Sequence, residues 1–329
     1  MKYQLHTCVW ETTLRCNFQC RHCGSRAGKA RGEELTLPEA KKMVAGLSSL
    51  GCERIIFAGG EPLLRRDILE ISQEANRRGM RVSLISNGFL VPEKIGLLEE
   101  MDLYSLGLSL DGLEATHNYL RNNARSFERV IKSIEAIKKK DLFLDLYIIT
   151  QVNKLMLPEI RKLYDLISDL GVSGWQLQLT NDMGRAEDLK NIMLSRDQIR
   201  EVLDFILEKR EKGVLKIYSA DDLGYYYRGE FEFQGCPAGL TNVGIKANGD
   251  VLPCLSMQKS DVYIGGNLKE RPLANIWNDP KFAVVNRQPK KLEGQCALCK
   301  FRKQCRGGCV GTAMAFDSLE CYPFCVRAG

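Results

Sequence analysis

The chain has 329 residues, 44% of them hydrophobic, with 47 basic against 41 acidic residues and a formal net charge of +6. That length can bury a sizeable core and fill two domains. The charge is too balanced for a nucleic-acid footprint and reads as a mixed solvated surface, compatible with docking an acidic electron donor or an acidic substrate.

No apolar run approaches about 18 residues and no charged-then-apolar leader opens the chain, so neither a membrane span nor an export signal is expected. Of thirteen cysteines, all but Cys8 and Cys52 sit in metal-ligand spacings, which points to thiols kept reduced in the cytoplasm. Strands are expected near residues 8–13, 54–58, 81–85, 104–110, 143–149 and 175–179, alternating with helices. After the first strand, Cys16, Cys20 and Cys23 are spaced C-x3-C-x2-C. Three thiolates on a four-iron cubane leave one iron with an open corner, able to bind and activate a small molecule. The alternative is a zinc knuckle, which needs a fourth His or Cys close by. His22 lies between two ligands and would have to turn away from them.

Thr36 with Glu39 forms a capping box with Pro38 in the first helical turn, and Gly51 stops that helix. The strand Arg54–Ala58 ends at Gly59-Gly60-Glu61-Pro62, where two glycines let backbone approach a ligand closely and proline blocks continuation. Asp67 to Arg78 reads as a helix with Ile68, Leu69, Ile71 and Ala75 near one face. The next strand ends in Ser86-Asn87-Gly88, and Pro92 opens another helix. Tyr104 to Leu110 carries Ser109 and Asp111 to a strand tip, with Arg121 on the helical stretch beyond; the plain alternative for Arg121 is a solvated surface charge. Helices follow at Ser126 to Lys139, Pro158 to Leu170, and from the Ser195/Gln198 cap to Gly213, and Gln178 ends the sixth strand ahead of Gly184-Arg185-Ala186. Six βα units imply parallel strands with right-handed crossovers and ligand sites at their carboxyl ends, where every motif above falls.

Between the halves, Asp221 to Tyr227 is a candidate substrate wall, with Asp222 a candidate base and Tyr225 beside it; the alternative is a packed linker. A hairpin is expected over Gly244 to Cys254, turning at Asn248-Gly249. Cys296-x2-Cys299-x5-Cys305-x3-Cys309 then precedes Cys321 and Cys325. With Cys236 and Cys254 these eight cysteines suffice for two cubanes, the alternative being a zinc ribbon. Cys8 and Cys52 fall outside every pattern and read as small buried hydrophobes, or as hydrogen-atom donors.

The C-x3-C-x2-C run with Gly59-Gly60-Glu61-Pro62 and Ser86-Asn87-Gly88 resembles the radical S-adenosylmethionine superfamily. The later cysteine order resembles that superfamily's SPASM extension, so the likeness covers essentially the whole chain. It implies a partial (β/α)6 TIM-like barrel over residues 1–220, a bridging segment over 221–235, and a small cysteine-rich SPASM domain of hairpin, short helices and loops over 236–329. It also implies three [4Fe-4S] clusters. Cys16, Cys20 and Cys23 would hold the one whose open iron is chelated by S-adenosylmethionine, with Gly59, Gly60, Glu61 and Pro62 at the methionine amino group. Ser86 and Asn87 would face the ribose, Ser109 and Asp111 lie at a neighbouring strand tip, Arg121 would meet the methionine carboxylate, and Gln178 would end the strand over adenine. Cys236, Cys254 and Cys309 would hold the nearer auxiliary cluster, and Cys296, Cys299, Cys305 and Cys325 the outer one, with Pro323 turning the chain back. Relatives with a complete nearer cluster carry a further cysteine just upstream of the first, where Phe231 to Gly235 has none. One corner is then left open to substrate, water or Cys321, and Cys321 is otherwise a buried thiol.

The activity implied is reductive cleavage of S-adenosylmethionine, with the electron from a donor such as flavodoxin or ferredoxin, followed by abstraction of hydrogen by the 5'-deoxyadenosyl radical. A ribosomally made peptide, acquiring a crosslink, thioether or epimerised centre, is the first substrate reading. Only 15 residues precede Cys16, which leaves no winged-helix leader-binding domain ahead of it. A tetrapyrrole of haem biosynthesis is the alternative substrate. An electron relay or iron sensor without catalysis would leave the GGEP and Ser86-Asn87-Gly88 motifs with no role.

Overall fold

The computed structural model describes residues 3–30, 32–142, 144–189, 191–220, 223, 235–288, 291–318, 323 and 325. Asp222, Tyr225 and Cys321 lie outside the described residues.

Seven strands run parallel in chain order: β1 Thr7–Thr13, β2 Arg54–Gly59, β3 Arg81–Ser86, β4 Ser105–Ser109, β5 Asp145–Val152, β6 Gly174–Leu179 and β7 Ile217–Ser219. The intervening helices are α1 Leu37–Ser49, α2 Ile68–Arg77, α3 Ile95–Glu100, α4 Glu114–Arg121, α5 Ser126–Lys140, α6 Ile160–Asp169 and α7 Arg196–Lys212. Side chains alternate across each strand. Cys8 and Trp10, Ile55 and Phe57, Leu106 and Leu108, and Trp175 and Leu177 are sealed off from solvent in the single main core. The opposite face lines the interior of the curved sheet. α1 starts from the expected Thr36/Glu39 capping box with Pro38 in its first turn, and α7 from the Ser195/Gln198 box, stopping at Gly213 with φ +65°.

The parallel α/β class is the one the alternation implies, but the sheet is larger. β7 was not anticipated: three residues are too few to show a period. The hairpin forms as β8 Asn242–Ile245 and β9 Asp250–Leu252, antiparallel, with Gly249 at φ +95° in the turn. It is not a separate sheet. β8 pairs in parallel with β1, Thr7 opposite Asn242, and with β10 Gly266–Asn267 completes one ten-stranded sheet ordered β10-β9-β8-β1-β2-β3-β4-β5-β6-β7. The cysteine-rich half is thereby fixed against the barrel's first strand. Short helices from Leu273–Trp277 to Val310–Ala315 follow; the first packs into the main core through Leu273, Ile276 and Trp277, and the last joins a small cluster of Cys236, Ala238, Met257, Val310 and Met314. Among the described residues no helix is long and apolar enough to cross a membrane.

Candidate active site

The loop after β1 carries Cys16, Cys20 and Cys23, and its path is fixed by backbone bonds: Gly28 N donates to Leu14 O at 2.9 Å and Cys16 N to Gly28 O at 2.9 Å. Gly59 and Gly60 lie against its start. A Cβ on Gly60 would stand 2.2 Å from Arg15 O, and one on Gly59, at φ +128°, 2.5 Å from Thr13 O. The two glycines are thus required by the approach of the cysteine loop, and both also line the cavity beside it. Gly60 N and Glu61 N seal the junction, donating to Thr13 O and Arg15 O at 2.8 Å each. Gly184 holds the other side: its Cβ position is 2.2 Å from Gly24 O, and Arg185 donates to Cys20 O at 2.6 Å and Ala27 O at 2.9 Å. Gly184-Arg185 is therefore a clamp behind the loop.

The three thiols line a cavity of about 290 Å³ together with Gly59, Gly60, Ser86, Asn87, Ser109, Asp111, Arg121 and Gln178, all expected at strand ends or beyond. Donors are aimed at the sulfurs. Phe18 N lies 3.4 Å and Asn87 Nδ2 3.9 Å from Cys16 Sγ, and Arg121 Nη1 lies 3.9 Å from Cys20 Sγ. Hydrogen-bond donors turned on sulfur suit thiolates bound to iron. Burial pushes the Cys16 thiol up to about 12, so a cation is needed to displace its proton.

Asp111 is fully buried. Its carboxylate lies 2.6 Å from Arg121 Nη2 and 3.0 Å from His22 Nε2, and accepts from Gln151 N at 3.0 Å. Burial pushes this carboxyl up, but Arg121 and then His22 outweigh it and hold it well below the carboxylate range. His117 is kept neutral, at about 3, by burial and then by Arg121, and its Nδ1 accepts from Asp111 N at 2.9 Å. Arg121 is no solvated surface charge: its side chain is 12% exposed, and its Nε has no hydrogen-bond partner. That orphaned donor, in a cavity wall beside the thiols, fits a ligand carboxylate.

Glu61 differs from expectation. It is fully buried and does not line the cavity; its carboxylate accepts from Ser86 Oγ at 3.0 Å, Asn87 N at 2.9 Å and Leu63 N at 3.2 Å. With those acceptor sites occupied it reaches the rim through Ser86 and Asn87, while Gly59 and Gly60 of the same motif line the cavity. Pro62 is buried in the short turn that Glu61 caps, likewise away from the cavity. Sequence reasoning missed Gln151, Met183, Ser256 and Gln258 on the cavity wall, none of which belongs to a motif.

Cys236, Cys254 and Cys309 line a second cavity, of about 600 Å³, inside the sheet. It meets the first at Ile85, Ile149, Gln178 and Ser256, which line both. A hydrogen bond from Cys309 brings Cys236 down to about 6 against the effect of burial. Gly244 lets the Cys254 segment cross over β8, since its Cβ position lies 2.6 Å from Leu255 N. Burial raises the Cys305 thiol, and Cys325 and Cys299 are near enough to push the same way. Cys296 is buried and accepts at its carbonyl from Cys299 N at 3.4 Å. Cys8 and Cys52 line neither cavity. Burial raises both thiols, Cys52 to about 11, and Cys52 donates to Arg54 O at 3.2 Å. Both are packing residues, which removes the hydrogen-donor alternative.

Comparison with known proteins agrees with this geometry. Residues 10–167 match the model of the radical SAM superfamily and residues 236–300 that of the SPASM iron-sulfur cluster-binding domain. The chain is 30% identical to an AdoMet-dependent heme synthase of Methanosarcina barkeri (strain Fusaro / DSM 804), over 97% of this chain and 95% of the relative. It is 26% identical to the mycofactocin maturase MftC of Mycolicibacterium smegmatis, over 97% of this chain and 82% of that one. In fold it is similar to SuiB of Streptococcus suis bound to S-adenosylmethionine, with a TM-score of 0.80 at 18% identity over 100% of this chain and 78% of that one. The protein is a radical SAM enzyme. It belongs to the SPASM branch of that superfamily, and binds S-adenosylmethionine and iron-sulfur clusters.

Proposed function

We propose that S-adenosylmethionine occupies the cavity ringed by Cys16, Cys20 and Cys23, that the substrate lies in the adjoining cavity inside the sheet, and that this substrate is a tetrapyrrole. The observation that carries the reading is the shared boundary at Ile85, Ile149, Gln178 and Ser256: it sets a nucleotide site and a larger chamber edge to edge, with Cys236, Cys254 and Cys309 on the chamber's wall. A tetrapyrrole is preferred because likeness to a heme synthase extends over almost the whole of both chains.

Bound iron-sulfur clusters would supply the electron that splits the nucleotide and accept one back from the substrate. The residues do the rest. Arg121 Nε, unpartnered and beside Cys20, would orient the methionine carboxylate. Asp111 fixes Arg121 in that position, and Glu61 fixes Ser86 and Asn87 at the rim. Met183 and Leu255 close the cavity with apolar surface that excludes water. Three clusters are proposed: one on the loop after β1, a nearer auxiliary one on Cys236, Cys254 and Cys309, and an outer one on Cys296, Cys299, Cys305 and Cys325. The division into a barrel over 1–220 and a cluster domain from 236 belongs to this proposal, as does an acidic donor of the flavodoxin or ferredoxin kind.

A peptide substrate is the second reading, favoured by the likeness to a mycofactocin maturase over 97% of this chain. The test is to incubate the anaerobic, reduced holoenzyme with S-adenosylmethionine and an iron porphyrin bearing propionate side chains. Faster formation of 5'-deoxyadenosine with loss of mass from the porphyrin supports the first reading. A porphyrin that neither binds nor reacts sends the assignment to peptides.

A further inference from the structure

We infer that Arg54 anchors a carboxylate of the substrate at the floor of the cavity inside the sheet, a role that rests on reading that cavity as the substrate site. Arg54 opens β2, opposite Thr7 of β1 and Arg81 of β3. Because Ile55 and Phe57 are buried on the outer face, Arg54 and Ile56 take the inner one, and both line the cavity.

The guanidinium is held there by neutral groups. Its Nε donates to Ser83 Oγ at 3.0 Å and its Nη2 to Ser105 Oγ at 3.3 Å, and Ser105 Oγ donates in turn to Ser83 Oγ at 2.8 Å. Tyr104 lies 5.9 Å away across its ring. Nearby carboxylates are engaged elsewhere: Glu53 with His6 and Arg81, and Asp145 with the Tyr147 hydroxyl. Among the described residues that line the cavity, Arg54 carries the one formal charge, cysteines apart. Its Nη1 edge has no protein acceptor among the described residues. A half-buried cation set against hydroxyls alone lacks a counter-ion, and a ligand carboxylate supplies it in the forked geometry that guanidinium favours.

The remaining wall sets the ligand's shape. Val9, Ile56, Ile85 and Ile149 are apolar, and Gln176 and Gln178 offer amides. Ala58, four residues beyond Arg54 on β2, already lines the nucleotide cavity, a rise of about 13 Å at 3.3 Å per residue. The ligand is an apolar body with an acid at its far end, held so that the opposite end meets the nucleotide.

The test titrates the anaerobic holoenzyme with an iron porphyrin bearing two free propionates and with its dimethyl ester, following the Soret band. Wild type is expected to bind the acid about tenfold or more tightly than the ester, as loss of a charge-assisted bond implies. Arg54→Met should bind the two alike, and Arg54→Lys should keep part of the preference. Iron content and melting temperature report whether each variant is folded, and the Lys variant is read if the Met variant is not. Equal binding by wild type, or a preference surviving in Arg54→Met, overturns the proposal. A second arm needs no porphyrin: glutarate should protect Arg54 from phenylglyoxal in peptide mapping. If neither porphyrin binds, the tetrapyrrole reading falls, and protection upholds the Arg54 anchor while its absence overturns it.

Discussion

Replacing Asp111 by Asn keeps the side chain's shape and its acceptor for Gln151 N but removes the charge between Arg121 and His22. The carboxylate is fully buried, 2.6 Å from one cationic group and 3.0 Å from the other ring. Arg121, 12% exposed, would be left without a counter-ion beside Cys20. Stranding one member of a buried pair costs about 3–5 kcal/mol. In a chain of this size that is a fall in melting temperature of about 4–7 °C. Thermal unfolding followed by far-UV circular dichroism measures it, with iron content in parallel. The double variant Asp111→Asn/Arg121→Gln should recover part of the loss, because the stranded cation is removed too. The depressed carboxyl also sets the sign with pH. Its contribution is complete above the unfolded value of about 4 and is lost as pH falls below it, so the wild type should lose this stability in acid and Asp111→Asn should not. An Asp111→Asn melting point within about 2 °C of wild type, with a double variant no better than the sum, would refute the reasoning.

Gly60→Ala should displace the loop carrying Cys16, because the added Cβ meets Arg15 backbone at 2.2 Å and no rotamer relieves it; iron analysis should show loss of one cluster. Glu61→Ala should weaken nucleotide binding indirectly, by freeing Ser86 and Asn87, with binding measured by equilibrium dialysis. Burial raises this carboxyl to about 7, so its contribution is present in acid and lost as pH climbs from about 4.5 to 7, on the order of 3 kcal/mol. Glu61→Gln should flatten that slope in urea titrations. Cys325→Ala should lose up to one cluster, since Cys325 neighbours Cys305 with Cys299, whereas Cys321→Ala should keep its iron.

The strand ends were legible because each motif interrupts an apolar run with Gly, Pro or a small polar residue, and those interruptions are local. Side-chain direction was not. Glu61 sits at the expected strand end, yet Ser86 and Asn87 from the next strand turn it inward. The glycines of the same motif meet a second demand that no local pattern shows, the crossing of a distant loop. Pairing of β8 with β1 joins residues more than 200 apart and leaves no periodic trace. Arg54 reads in sequence as one more cation among 47, and only the curvature of the sheet puts it in a chamber whose other described lining residues are uncharged.

The central claim is that a radical formed in the cavity at Cys16, Cys20 and Cys23 takes hydrogen from a substrate in the adjoining chamber. Mass spectrometry of the 5'-deoxyadenosine formed from a side-chain-deuterated iron porphyrin tests it directly. The account predicts one deuterium in that product with wild type, and no 5'-deoxyadenosine when Cys16, Cys20 and Cys23 are replaced together by Ala. Porphyrin consumed while the 5'-deoxyadenosine stays unlabelled, or intact S-adenosylmethionine with fully reduced, iron-replete enzyme, would contradict it.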